Sequence, residues 1–170
     1  MRAAPPHNGR GRNGGARSGE GEGEEDHAMR LSLLAPALLL AASPALARSY
    51  AEDGVAIRGT DPVAYFEEGR PVPGRPEFAF TWDGATWRFA SAANRDRFAA
   101  SPERYAPAYG GFCAWAVSQG YTAPTDPRAW RIVEGRLYLN YDLSVQRRWE
   151  RDIPGNIARA ETNWPRLARE

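Results

Sequence analysis

The sequence predicts a small α+β fold, a single domain with two β-hairpins and several short helices. Two observations carry this: turn dipeptides sit inside alternating aromatic runs, and polar caps stand directly before amphipathic stretches. No internal repeat competes with that reading. The 170 residues suit one domain with attachments, and 42% hydrophobic content with six tryptophans, all beyond position 80, suffices for a packed core.

Asp61-Pro62 is a helix-start signal, with Val63, Tyr65 and Phe66 as the apolar content of a short helix. Phe78 to Trp82 and Thr86 to Ala90 alternate aromatic with small or polar residues around Asp83-Gly84, which predicts the first hairpin. Ser91 caps a helix to about Ala100, and Pro102 starts another turn toward Tyr105. A buried helix is expected to begin near Gly110-Gly111, with Trp115 in its packed set. Trp130 to Val133 and Leu137 to Asn140 around Glu134-Gly135 form the second hairpin, with Trp130, Ile132, Leu137 and Leu139 inward. Asp142 or Ser144 then caps a helix carrying Val145, Trp149 and Ile153, stopped by Pro154-Gly155. Asn156 is expected to cap the last helix, with Ile157, Ala160 and Trp164 on one face and Pro165 ending it.

The N-terminal part differs in kind. Residues 1–28 are rich in Gly, Arg and Glu with almost no large apolar side chain, and are expected to be a disordered extension or a mis-called start. From Met29 a single arginine, an apolar run and Ala45-Leu46-Ala47 read as a secretory signal peptide over 29–47, cleaved after Ala47. The apolar run is shorter than the about 20 residues a membrane span needs. The domain is then 48–170, periplasmic or secreted. A formal charge of +1 gives no electrostatic reason to expect nucleic acid or an anionic membrane as partner. The one cysteine, Cys113, forms no internal disulfide.

Cys113 has three readings. It packs as a small hydrophobe, it ligates a metal ion together with Tyr109 or an acidic neighbour such as Asp61, or it is a redox thiol activated at a helix start. Asp61 reads first as a helix cap. Tyr65, Tyr109, Tyr121, Tyr138 and Tyr141 are core aromatics or the walls of a pocket. Arg147, Arg148 and Arg151 alternate with Glu150 and Asp152 as a solvated helix face. No paired carboxylates, nucleophile triad or phosphate-binding loop stands out, so the sequence carries no enzyme signature.

The runs D-P-V-A at 61–64, F-A-S-A-A-N-R-D-R-F at 89–98 and S-P-E-R-Y at 101–105 resemble the YHS domain family. Y-G-G-F-C-A-W-A-V-S-Q-G, R-L-Y-L-N-Y-D and N-W-P-R-L resemble its exported, free-standing subgroup. The resemblance implies a binding module for a metal ion or small ligand. It also implies cysteines at the positions of Ala64, Ala90 and Asn94, which this chain lacks, and its histidines, His7 and His27, both precede the expected cleavage site. The implied ligand-binding residues are Asp61, Tyr65, Tyr109 and Cys113, with Cys113 the one soft metal ligand. The alternatives are a thiol-dependent redox protein using Cys113 and a domain that recognises an envelope protein.

Overall fold

In the computed structural model, residues 48–170 are described; the expected extension and signal peptide lie outside them. Three two-residue turns organise the strands. Asp53-Gly54, Asp83-Gly84 and Glu134-Gly135 all take positive φ at both positions, the left-handed geometry whose twist suits tight hairpins. The first joins β1 (Ala51–Glu52) to β2 (Val55–Ala56), a small hairpin the sequence reading passes over despite its Asp-Gly signal. The second joins β3 (Arg75–Trp82) to β4 (Ala85–Phe89), and β2 runs parallel beside β4 to give a four-stranded sheet of order β1-β2-β4-β3. The third joins β5 (Asp126–Val133) to β6 (Arg136–Asn140) as a separate two-stranded sheet.

The chain between Ala56 and β3 carries α1 (Ala64–Glu67). After β4, Ser91 accepts the Asn94 N–H and caps α2 (Ala92–Ala100) as expected, and α3 (Pro102–Tyr105) follows. Phe98 of α2 drives into the first sheet, with its ring centroid 5.1 Å from Phe89, 5.2 Å from Trp87 and 5.7 Å from Trp82. Trp87, Phe89 and Phe98 are wholly buried. Phe98→Ala is therefore the cavity-forming change of this core, at about 3 to 5 kcal/mol.

The β5–β6 hairpin is a wall between two cores. Leu137 and Leu139, paired with Ile132 and Trp130, face the first core, while Tyr138 between them faces the second with its ring 5.3 Å from Trp149. Strand periodicity of two produces this division: alternate residues of one strand serve opposite sides. The second core gathers Tyr109, Phe112, Val117, Trp149, Ala160 and Leu167 from the 108–118 segment and the two α-helices that follow β6.

Four expectations about these helices need correction. The helix expected at Gly110-Gly111 starts later: Ala108–Gly111 is a 3-10 turn in which Tyr109, Gly110 and Gly111 are left-handed, and α4 spans Ala114–Ser118. A Cβ on Gly110 would run into the Arg48 carbonyl, so this glycine allows the N-terminal segment to lie against the turn, where the Tyr50 N–H donates to the Gly110 carbonyl at 2.8 Å. Trp115 is only half-buried, because α4 is short and its indole points to the rim. Pro154-Gly155 does not stop a helix but opens one: α5 (Leu143–Trp149) passes through a 3-10 turn at Glu150–Asp152 into α6 (Ile153–Leu167). Proline fits the first helical turn, where its missing N–H has no partner to lose, and the cap is Asp152, accepting the Gly155 N–H at 3.0 Å. Pro165 does not end α6, since the carbonyl it leaves unpaired belongs to exposed Glu161, within reach of water.

Candidate functional site

Asp61 is the most heavily engaged polar side chain near α1. Its Oδ1 accepts the N–H groups of Val63 at 2.8 Å and Ala64 at 3.3 Å, as a cap should. Its Oδ2 accepts the Ala90 N–H at 2.8 Å and the Asn94 amide at 2.7 Å. The carboxylate thus ties α1 to the end of β4 and the start of α2, and it is fully buried. Both oxygens are saturated, and nothing is left over for a ligand.

Tyr65 and Tyr109 are likewise committed. Tyr65, 1% exposed, packs at a tilt against Trp130, ring centroids 5.2 Å apart, and donates its hydroxyl to the Pro127 carbonyl at 2.8 Å. Burial raises its hydroxyl well above the ordinary tyrosine value. Tyr109 packs between Tyr138 and Trp164 and donates to Glu161 Oε1 at 3.2 Å; burial, then the Glu161 charge, raises it likewise. Its left-handed backbone costs about 1 to 2 kcal/mol, which this packing offsets. Tyr65 lies in the first core and Tyr109 in the second, so the fold does not bring the four sequence-predicted residues to one point.

Cys113 stands at the residue before α4, not within its first turn. Its Sγ accepts the Tyr141 N–H at 3.3 Å and lies 3.8 Å from Asn140 Oδ1, the same oxygen that receives the Trp115 N–H at 3.2 Å. The thiol is 1% exposed, and desolvation raises its pKa, outweighing the neighbouring N–H groups that would lower it. This is a protonated, packed thiol at neutral pH.

The same thiol forms the floor of an open cleft of about 300 Å³. Three separate segments build it: Cys113, Trp115 and Ala116 of the α4 region, Tyr121 and Ala123 of the following loop, and Tyr141, Val145 and Arg148 from the end of β6 and α5. The loop is held by the Cys113 N–H donating to the Ala123 carbonyl at 3.0 Å and the Tyr121 N–H to the Ala116 carbonyl at 3.2 Å. Arg148 lays its guanidinium over the Trp115 ring, 5.6 Å from the centroid. Tyr121 and Tyr141 are 51% and 54% exposed; with Leu143 they are the large apolar residues left exposed among the described residues. Of the five tyrosines the sequence offered as pocket walls, these two line the cleft, whereas Tyr65, Tyr109 and Tyr138 are core. Trp115 and Arg148 are the residues sequence reasoning placed elsewhere, the one in the core and the other on a solvated face. Nothing in their local spacing shows that two helices face each other across a gap.

The fold defines a small α+β domain whose hairpin–helix half is anchored on one buried carboxylate. Over that half, residues 63–109 match the family model described as YHS domain. No curated protein and no solved structure matches the chain. The matched segment ends at Tyr109, so Cys113 and the cleft lie beyond it.

The metal that the resemblance implies does not fit these residues. The positions of Ala64, Ala90 and Asn94 surround Asp61, but each presents an N–H donor to it, and a donor cannot ligate a cation. At Cys113 the neighbours are an amide oxygen and a backbone N–H. Among the described residues no group of three or more His, Cys, Asp or Glu is placed to hold a metal ion, and one thiolate is a poor start for a soft-metal site.

Proposed function

We propose that this protein is an exported binding module whose ligand is a small organic molecule held in the cleft between α4, the 121–123 loop and α5. The observation that carries the reading is the concentration of exposed aromatic surface at one concavity: Tyr121 and Tyr141 line it, and Leu143 lies in sequence between its lining residues Tyr141 and Val145. Exposed apolar patches mark binding sites, and a volume of about 300 Å³ is at the small end of ligand pockets. The burial and raised pKa of the Cys113 thiol argue against a redox role, which needs an accessible thiolate. Export rests on the signal-like segment 29–47, and mature protein is expected to begin at Arg48 on N-terminal sequencing.

The cleft is tested by titrating folded protein with indole and following amide resonances by NMR. Shifts confined to Trp115, Ala116, Tyr121, Ala123 and Tyr141, and abolished by filling the cleft with Ala123→Phe, are expected. Indole that shifts nothing, or shifts residues scattered over both cores, removes the proposal. Stoichiometric metal in purified protein that disappears in folded Cys113→Ala would return the function to metal binding.

A further inference from the structure

We infer that the cleft selects flat aromatic anions, with Arg148 as the residue that reads the negative charge. This rests on the cleft being the binding site. Trp115, Tyr121 and Tyr141 supply ring walls, while Ala116, Ala123 and Val145 are small enough to leave room for one or two fused rings. Arg148 is the one charged residue in the lining, and it forms no ion pair among the described residues, although many of the other arginines do.

The surrounding carboxylates are few, and Asp142, which keeps its charge, is turned to the start of α5. Asp142, the acid nearest in sequence to the tyrosine wall, accepts the N–H groups of Ser144 and Val145 at 2.8 Å and caps α5. Glu150 is held by Gln146 at 3.0 Å and by Arg131 at 3.5 Å. Arg147 and Arg151, exposed near Arg148 in the same stretch, add positive charge. The charge at the cleft mouth is positive on balance: Arg147, Arg148 and Arg151 outnumber Asp142, and Glu150 is paired with Arg131.

Geometry sharpens the preference. A guanidinium laid over an indole presents its N–H groups outward in its own plane, the arrangement that receives a carboxylate through two parallel hydrogen bonds. A carboxylate on an aromatic ring places the charge at the ring edge, so the ring can stack between tyrosines while the anion meets Arg148. A neutral aromatic of the same shape would gain the stacking and lose the charge-assisted contact.

The probe pair is 2-naphthoate and 2-naphthamide, which share size and shape and differ in charge. On wild-type protein at low salt, naphthoate is expected to bind about tenfold more tightly or better, the scale of a charge-assisted hydrogen bond. The ratio should fall toward one in Arg148→Gln, recover in part in Arg148→Lys, and shrink as sodium chloride is raised. Equal affinities for the two probes, with shifts still confined to the cleft, would overturn the anion preference and leave the binding site standing. A naphthoate preference that survives Arg148→Gln would overturn the role of Arg148. If neither probe shifts any cleft resonance, the binding site itself falls, and this inference with it.

Discussion

Asp61 and Cys113 are both buried polar groups at the head of a short helix, and they have opposite surroundings. Asp61 receives four N–H donors, two from Val63 and Ala64 at the start of α1 and two from residues 29 and 33 positions away, and it is fully buried. Cys113 accepts one backbone N–H at 3.3 Å, donates weakly to Asn140 Oδ1 at 3.8 Å, and lies in the lining of an aromatic cleft. The difference separates structure from function within one small domain. The strongly bonded carboxylate fixes the fold, and the weakly bonded thiol stands beside the ring-lined space proposed to take a ligand. The family match, residues 63–109, holds the four donors to Asp61 and includes neither Asp61 itself nor Cys113.

The comparison breaks most visibly at Asp61. Asp61→Ala leaves four donors without an acceptor, and at about 1 to 3 kcal/mol for each unsatisfied buried group the loss should be at least about 4 kcal/mol. Urea denaturation measures it. A midpoint close to that of wild type would mean that the carboxylate does not hold the two halves of the first core together.

Alkaline pH probes the second side. Cys113, Tyr65 and Tyr109 all keep their protons in the folded chain beyond the ordinary values of 9.0 for the thiol and 10.0 for the phenols. The unfolded chain releases them first, so above about pH 9 it binds fewer protons than the native state and stability declines as pH rises. This stabilisation is complete below pH 9 and is lost progressively above it. In Cys113→Ala the decline should begin later, near the tyrosine range; an unchanged onset would show that the thiol is not desolvated.

Trp115→Ala should cost about 1 to 2 kcal/mol, less than the about 3 to 5 expected of a wholly buried aromatic, because the indole is half-exposed. It should also abolish naphthoate binding. A larger loss of stability would move Trp115 into the core and remove a wall of the cleft.

The smallest effects are expected at the rim. Tyr121→Ser and Tyr141→Ser should each change stability by no more than about 0.5 kcal/mol, as surface positions do, while weakening ligand binding. Native Cys113 should react slowly with iodoacetamide and unfolded protein quickly. Fast labelling of the native state would restore the thiol chemistry that the buried position argues against.

Local chemistry makes the turns and caps legible in the sequence. Asp83-Gly84 and Glu134-Gly135 determine their hairpins because only a few residue types tolerate the left-handed turn, and Ser91 and Asp142 start their helices by accepting N–H groups two or three residues ahead. The inward set Trp130, Ile132, Leu137 and Leu139 follows from strand alternation alone. Misreadings arise where a residue type has two local meanings: Pro154 can end one helix or begin the next, and only the position of Asp152 decides.

What tertiary structure decided is the meaning of the polar and aromatic residues. The sequence marks Asp61 as a cap through its neighbours Val63 and Ala64, but its bonds to Ala90 and Asn94 exist only because β4 and α2 are packed against α1. Likewise, nothing within eight residues of Trp115 announces that Tyr141 and Arg148 will stand opposite it. The cleft is a gap left between three chain segments by the packing of the second core, and a gap has no local sequence signal. Turns and caps are short-range energies written residue by residue, whereas saturation and empty space are properties of the whole packed chain.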